Sequence, residues 1–290
     1  MPAAPPPVLT GISSLVPNYD LFLCDVWGVV HNGETAYPAA VDALRRARAA
    51  GITVLLITNA PRPGSVIERQ IVQFSVPRDC YDTIVASGDV ARDELRRRPG
   101  AKVFHLGPER DMPNYEGLDL SLVDFDQADV VVCTGFFNDD VETPADYADT
   151  LAEIYRRGLP FICANPDIVV ERGDRMIWCA GALAREYENL GGKVIYAGKP
   201  HAPIYDLALE TTSEIRGPVA RPRVLAIGDG VRTDLKGAVL QGFDCLFVAA
   251  GIHAAELDLS AGGSPDAEAS ARVFAEAGGP PNALIWRLSW

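Results

Sequence analysis

The stretch Phe22-Leu-Cys-Asp-Val-Trp-Gly-Val-Val-His-Asn-Gly33 begins as an apolar, strand-like run and becomes polar and glycine-rich from Asp25 onward. Three later segments also place polar groups just after an apolar run: Val54–Ile57 before Thr58-Asn59, Val194–Ala197 before Gly198-Lys199, and Val224–Ile227 before Gly228-Asp229. Open α/β sheets bind ligands at the carboxyl ends of their parallel strands, so these polar groups are expected in one crevice. Together they suit a divalent metal ion and a phosphate.

The alternation of strand-like and helix-like segments predicts an α/β protein built on a doubly wound parallel sheet. The middle of the chain holds enough strands and helices for a smaller α/β domain of its own. We therefore predict a core domain of residues 1–95 plus 193–290 and an inserted α/β domain of residues 96–192. The proline-rich residues 1–10 are expected to form a flexible arm.

Composition excludes several classes of protein. The chain has 290 residues, of which 48% are hydrophobic and 22% charged, as in an ordinary globular protein. Its formal net charge of -13 argues against nucleic-acid and anionic-membrane partners, since either needs a basic face. The six cysteines lack CxxC spacing and favour a reducing cytoplasm. The alternating tail Leu284–Trp290 predicts packing on the core or, alternatively, an oligomer contact such as that of a homodimer.

In combination, the polar segments resemble the motifs of the haloacid dehalogenase-like hydrolases, specifically class IIA, the NagD-like class with a large cap between the second and third motifs. The matching segments are Phe22–Gly33, Leu55–Ala60, Gly198–Pro200 and Ile227–Asp234. Asn165-Pro-Asp167 also resembles the cap motif of that class. The resemblance covers nearly the whole chain, and it implies a Rossmann-like core with residues 96–192 as the cap.

The resemblance implies that Asp25 is a nucleophile that forms an aspartyl-phosphate. A phosphate and a carboxylate repel each other, so a cation is needed between them, and Mg²⁺ prefers oxygen ligands. The implied ligands are Asp25, the backbone carbonyl of Trp27 and Asp229, with Asp234 in support.

The catalytic residues implied by the resemblance are Asp25, Thr58 and Lys199, where Thr58 donates to a phosphoryl oxygen and Lys199 stabilises the charge on the transferring group. The predicted phosphate- and substrate-binding residues are Thr58, Asn59, Ala60, Lys199, His31, Asn165 and Asp167. Ordinary structural roles are the alternatives: Thr and Asn are common at helix N-caps, and Asn-Pro-Asp is common in turns.

Trp27 departs from the pattern. The family's phosphatases usually carry a second Asp, the general acid and base, two residues after the nucleophile, and an indole cannot exchange a proton usefully. His31 could supply the proton instead. Alternatively, the substrate is one with a good leaving group, such as an acyl or aryl phosphate. A third alternative is that the protein has become a slow enzyme or a ligand-binding module.

These expectations define a Mg²⁺-dependent phosphohydrolase acting on a small phosphorylated metabolite. The competing class is a non-enzymatic phosphate- or nucleotide-binding regulatory protein that retains the metal site. A dehalogenase is a weaker rival, because the large cap and the Asn-Pro-Asp segment resemble the phosphatase class.

Overall fold

The protein is described here by a computed structural model that covers residues 6–172, 175–257 and 266–290. The chain divides into two compact units. The first unit contains Met1–Thr58, Glu68–Val85 and Tyr205–Trp290, and the second contains Asn59–Ile67 and Ala86–Ile204. The predicted inserted domain, 96–192, lies inside the second unit. That unit also includes residues 59–67, 86–95 and 193–204, which were predicted to belong to the core domain.

The strands are β1 Val8–Leu9, β2 Leu21–Cys24, β3 Thr53–Thr58, β4 Thr83–Ala86, β5 Ala101–Leu106, β6 Leu120–Leu122, β7 Val130–Cys133, β8 Phe161–Cys163, β9 Val169–Arg172, β10 Arg175–Trp178, β11 Val194–Tyr196, β12 Val224–Gly228, β13 Asp244–Val248 and β14 Ala283–Ile285. The helices are α1 Pro38–Ala49, α2 Gly64–Gln73, α3 Ser87–Arg96, α4 Ala148–Arg157, α5 Ala180–Asn189, α6 Ala202–Arg216, α7 Lys236–Gln241, α8 Ala254–Leu257 and α9 Ala267–Phe274.

The sheet of the first unit has seven strands in the order β1-β14-β13-β12-β2-β3-β4. The pairings that join β1 through to β3 are all parallel. The chain moves outward on one side of β2 through β3 and β4, and on the other side through β12, β13 and β14. The order therefore reverses between β2 and β12, which is where ligands bind in open α/β sheets. The predicted α/β class is confirmed.

Apolar burial explains why these segments form the sheet and its covering helices. Every residue of β2 and β3 is buried, as expected for parallel strands covered on both faces. In α1 the apolar positions recur at helical spacing, and Leu44 and Ala47 are fully buried. The carboxyl ends of β2 and β12 therefore lie in a closely packed part of the first unit.

The second unit has its own parallel sheet, with strand order β11-β8-β7-β5-β6, and an antiparallel hairpin of β9 and β10. One expectation was wrong here. The run Val194–Tyr196 was predicted to complete the core sheet, but β11 instead pairs in parallel with β8, Val194 opposite Phe161. An apolar run of this kind is suited to a buried strand in either sheet. Which sheet it joins depends on the strand it pairs with, and the local sequence does not show this.

The prediction that residues 1–10 form a flexible arm is wrong for Val8 and Leu9. Val8 and Leu9 form β1 and pair in parallel with Leu284 and Ile285 of β14. Residues 1–5 lie outside the described part of the chain. In the tail, Leu284 and Leu288 are buried, in agreement with packing on the core.

Within the described residues, no helix combines the length and the apolar character needed to cross a membrane. All six cysteines lie in the described part of the chain; each is buried, and none forms a disulfide.

Candidate active site

Three buried carboxylates meet at the switch point of the first sheet. Asp25 directly follows β2 and Asp229 directly follows β12, while Asp234 is five residues further on. Their ligand atoms all lie within 4.8 Å of one another, and the residues are 8%, 5% and 4% exposed. The expected convergence of these three carboxylates is confirmed. Like charges this close and this buried repel strongly, so the group is suited to a cation, and carboxylate oxygens are ligands that Mg²⁺ prefers.

Hydrogen bonds with backbone groups hold two of these residues in place. The Asp25 N–H donates to the carbonyl of Ile227 in the neighbouring strand at 2.8 Å. This bond fixes the position of Asp25 along β12. Asp234 lies in a π-helical turn, Val231–Leu235, and its Oδ2 accepts the N–H of Gly230 at 3.1 Å. Such irregular turns occur frequently at functional sites, and this one directs Asp234 back toward the strand end.

Asp229 is enclosed by two glycines. A Cβ atom at Gly28 would lie 2.2 Å from its Oδ2, and a Cβ at Gly251 would lie 2.0 Å from the same atom. Gly28 also has φ of +80°, which other residues rarely adopt. The N–H of Ile252 donates to Asp229 Oδ2 at 3.3 Å. The loop after β13 therefore positions this carboxylate.

Gly251→Ala should weaken Mg²⁺ binding by at least about tenfold, the usual effect of disturbing a group that orients a metal ligand. The added methyl group cannot fit beside Asp229 Oδ2, so the carboxylate must move. Gly279→Ala is the matched control, since a Cβ there meets nothing within 4 Å. Calorimetric titration with Mg²⁺ measures the effect, and equal affinities in the two variants would contradict this role for Gly251.

Trp27 lies over the loop that follows Asp25. A Cβ at Gly33 would be 2.4 Å from the Trp27 ring, so only glycine allows this packing. The indole contacts the His31 ring edge to face, with centroids 5.4 Å apart, and His31 contacts Phe74 at 5.0 Å. Trp27 is thus one member of a small aromatic cluster.

His31 is buried and neutral near pH 7, because burial lowers its pKa to about 4. The Gly33 N–H donates to its Nδ1 at 2.8 Å, which leaves the imidazole proton on Nε2. Unfolded histidine binds a proton near the higher pKa of about 6.5. The unfolded state therefore binds more protons between these values, and stability falls as the pH drops from 6.5 toward 4.

The remaining predicted residues occupy the end of β3 and the second unit. Thr58 is the last residue of β3 and is buried. Lys199 follows β11 rather than a strand of the first sheet, and it is only 3% exposed. Asn59 and Asn165 are also buried. The Ala60 carbonyl accepts the Gly88 N–H at 3.2 Å, and the Asn59 amide donates to Asp167 Oδ1 at 2.9 Å.

Sequence reasoning missed the loop Gly251–His253 and the contact between Arg62 and Asp111. Gly251 comes soon after β13, so the rule applied to Asp25 and Asp229 could have identified it. His253 Nε2 accepts the N–H of Val231 at 3.4 Å and so ties this loop to the turn containing Asp234. Arg62 lies 3.5 Å from the buried carboxylate of Asp111 within the second unit, a pairing that no local sequence signal indicates.

Comparisons with known proteins give matches over most of the chain. A family profile described as haloacid dehalogenase-like hydrolase matches residues 22–121, and one described as HAD-hydrolase-like matches residues 196–273. The crystal structure of a haloacid dehalogenase-like hydrolase from Brucella suis 1330 is 48% identical, covers 97% of this chain and 99% of its own, and superposes with a TM-score of 0.85.

Two curated relatives are more distant. The ribonucleotide monophosphatase NagD of Escherichia coli K12 is 26% identical over 79% of this chain and 87% of its own length. The 5'-nucleotidase YutF of Bacillus subtilis is 25% identical over 81% of this chain and 89% of its own length.

Proposed function

Since this chain belongs to the haloacid dehalogenase-like hydrolases, in the NagD-like class IIA, we propose that it is a Mg²⁺-dependent phosphohydrolase acting on a small phosphorylated metabolite. The observation that supports this most directly is the cluster of Asp25, Asp229 and Asp234 at the switch point of the first sheet. A nucleophilic carboxylate next to two further carboxylates is suited to phosphoryl chemistry assisted by a cation.

The donor set fits Mg²⁺, which would be held by Asp25, the Trp27 carbonyl and Asp229, with Asp234 in support. When bound, the ion would neutralise the charge that the phosphate and the carboxylates share. No cysteine or histidine belongs to the cluster of described residues, so its ligands are all hard oxygens.

The proposed reaction has two steps on Asp25. A carboxylate oxygen of Asp25 bonds to phosphorus while the bond from phosphorus to the leaving oxygen breaks, and that oxygen keeps the electron pair. Water then bonds to phosphorus, the bond from phosphorus to Asp25 breaks, and inorganic phosphate is released. Thr58 is proposed to donate to a phosphoryl oxygen, and Lys199 to neutralise charge in both steps.

Trp27 and His31 narrow the substrate class that we propose. Neither offers an acid at neutral pH, because Trp27 cannot exchange its proton and the pKa of His31 is lowered to about 4 by burial. We therefore propose acyl and aryl phosphates as the better substrates and alkyl esters as slow ones. The names of the two curated relatives support including nucleoside monophosphates in a first screen.

The proposed function is tested by measuring phosphate release from a panel of substrates with Mg²⁺ and with EDTA. The panel contains 4-nitrophenyl phosphate, acetyl phosphate, nucleoside monophosphates and sugar phosphates. We expect release that requires Mg²⁺ and is fastest for the aryl and acyl phosphates. If no compound releases phosphate while orthovanadate or phosphate still binds with Mg²⁺, the regulatory-protein alternative is favoured instead, and Trp27 is the residue that motivates it.

We propose a cytoplasmic location, which is supported by six buried cysteines without a disulfide. A homodimer remains a prediction from the aromatic tail. We also propose that the cap, residues 96–192, governs the choice of substrate, with Asn165 and Asp167 as substrate contacts.

A further inference from the structure

The side-chain amide of Asn59 is buried inside the second unit and has all of its polar groups engaged. Its Oδ1 accepts the backbone N–H of Lys199 at 2.7 Å. Its Nδ2 donates to the backbone carbonyl of Lys199 at 3.1 Å and to Oδ1 of Asp167 at 2.9 Å. An asparagine amide has two N–H donors, so neither is left for a phosphate oxygen.

The two bonds to Lys199 form a bidentate pairing between one amide and the backbone N–H and C=O of a single residue. Such a pairing fixes the orientation of that residue's backbone as well as its position. Asn59 and Lys199 are 140 positions apart in the chain, so this contact couples the position of Lys199 to the segment after β3.

Close packing around Gly198 reinforces the arrangement. A Cβ atom at Gly198 would lie 2.4 Å from Asn59 Oδ1 and 2.8 Å from the ring of Pro166. The residue after this proline, Asp167, is held independently: its N–H donates to Asn165 Oδ1 at 3.1 Å and its carbonyl accepts the Gly181 N–H at 3.1 Å. Asn59 therefore joins two segments that are each already restrained.

From this geometry we propose that Asn59 is a positioning residue that acts through Lys199 and Asp167, and that its side chain does not bind the phosphate. The proposal rests on the proposed function, in which Lys199 neutralises the transferring phosphoryl group. A displaced ammonium group stabilises the transition state less, although ground-state binding changes little.

A double-mutant cycle tests this proposal, with Asn59→Ala, Lys199→Met and the double variant assayed on 4-nitrophenyl phosphate. We expect Asn59→Ala to lower kcat by about 10²-fold with little change in KM, the effect of misplacing a catalytic group by about 1 Å. In the Lys199→Met background the same substitution should change kcat by less than about twofold. The proposal would be overturned if the losses in kcat from the two single substitutions multiplied in the double variant, or if Asn59→Ala raised only KM. Either result would indicate that Asn59 binds the phosphate directly.

Two further variants make the outcome unambiguous. Asn59→Asp keeps the size and the acceptor but removes both donors, so it should lower kcat in the same way even if Asn59→Ala fails to fold. Asn282→Ala is the control, because the Asn282 amide makes similar bonds away from the proposed site. It accepts the backbone N–H of Cys245 at 2.9 Å and donates to the Asp244 carboxylate at 2.7 Å. Its kcat should be unchanged. If Lys199→Met itself has no effect, the role proposed for Lys199 fails together with this inference.

Discussion

Asp25→Asn should abolish phosphate release, with a loss of at least about 10³-fold in kcat, because the amide retains the shape of the side chain but is not an anionic nucleophile. The fold should survive, since the Asp25 N–H to Ile227 bond belongs to the backbone. Without Mg²⁺ the variant should be at least as stable as the wild type, because one of three clustered negative charges has been removed. Phosphate release and thermal unfolding in EDTA and in Mg²⁺ measure both effects.

Asp20→Asn is the matched control for this substitution. Asp20 precedes β2, at the opposite end of the same strand, and pairs with Arg223, which lowers the pKa of its carboxyl group. Its replacement should leave kcat unchanged. Turnover that persists in Asp25→Asn, in protein free of contaminating phosphatase, would show that Asp25 is not the nucleophile.

The rate should depend steeply on the leaving group, with alkyl phosphates slower than aryl phosphates by about 10²–10⁴-fold, the usual contribution of a general acid. Without an acid, the departing oxygen must carry its own negative charge. Trp27→Asp should therefore accelerate alkyl esters more than aryl esters. The measurement is kcat/KM against leaving-group pKa for both proteins.

Trp27→Asp also removes a packed aromatic side chain. The indole fills the space above Gly33 and contacts His31, so its loss should cost about 1–3 kcal/mol of stability. Trp27→Phe retains a ring without adding a carboxylate and should leave the leaving-group dependence unchanged.

A flat leaving-group dependence in the wild type, with fast alkyl-ester turnover, would mean that another residue supplies the proton. His31 would then be the first residue to replace. Because burial lowers its pKa to about 4, an acid role for His31 predicts a rate that falls as the pH rises above that value.

The carboxylate cluster could be predicted from sequence because both of its strands follow one rule. Asp25 and Asp229 each end a fully apolar run, and parallel neighbours in a sheet bring such ends together. Lys199 ends a similar run, but β11 belongs to the other sheet, since it pairs with β8. Apolar composition identifies a strand but not its partner, which depends on contacts between distant parts of the chain.

Very short strands are also difficult to predict from sequence. β1 has only two residues, too few to show alternation, and the prolines before it are typical of an extended arm. Its order comes from pairing with β14 near the opposite end of the sequence. Likewise, the three hydrogen bonds of the Asn59 amide go to two residues that lie more than a hundred positions away, so a local pattern could suggest phosphate binding but not the observed bonds.

The assignment of residues 59–67 to the second unit has a consequence for how such proteins can exchange parts during evolution. Asn114 donates to the Pro61 carbonyl at 2.5 Å, and Arg62 pairs with Asp111, so this short segment depends on residues 86–204 for its partners. Recombination that brought in 86–204 from a relative without an acidic residue at position 111 would leave the partly buried Arg62 without its matching carboxylate. Residues 59–67 and 86–204 are therefore expected to be inherited together, although they are separated in the sequence. Compensating substitutions are expected in 59–67 whenever 86–204 is replaced.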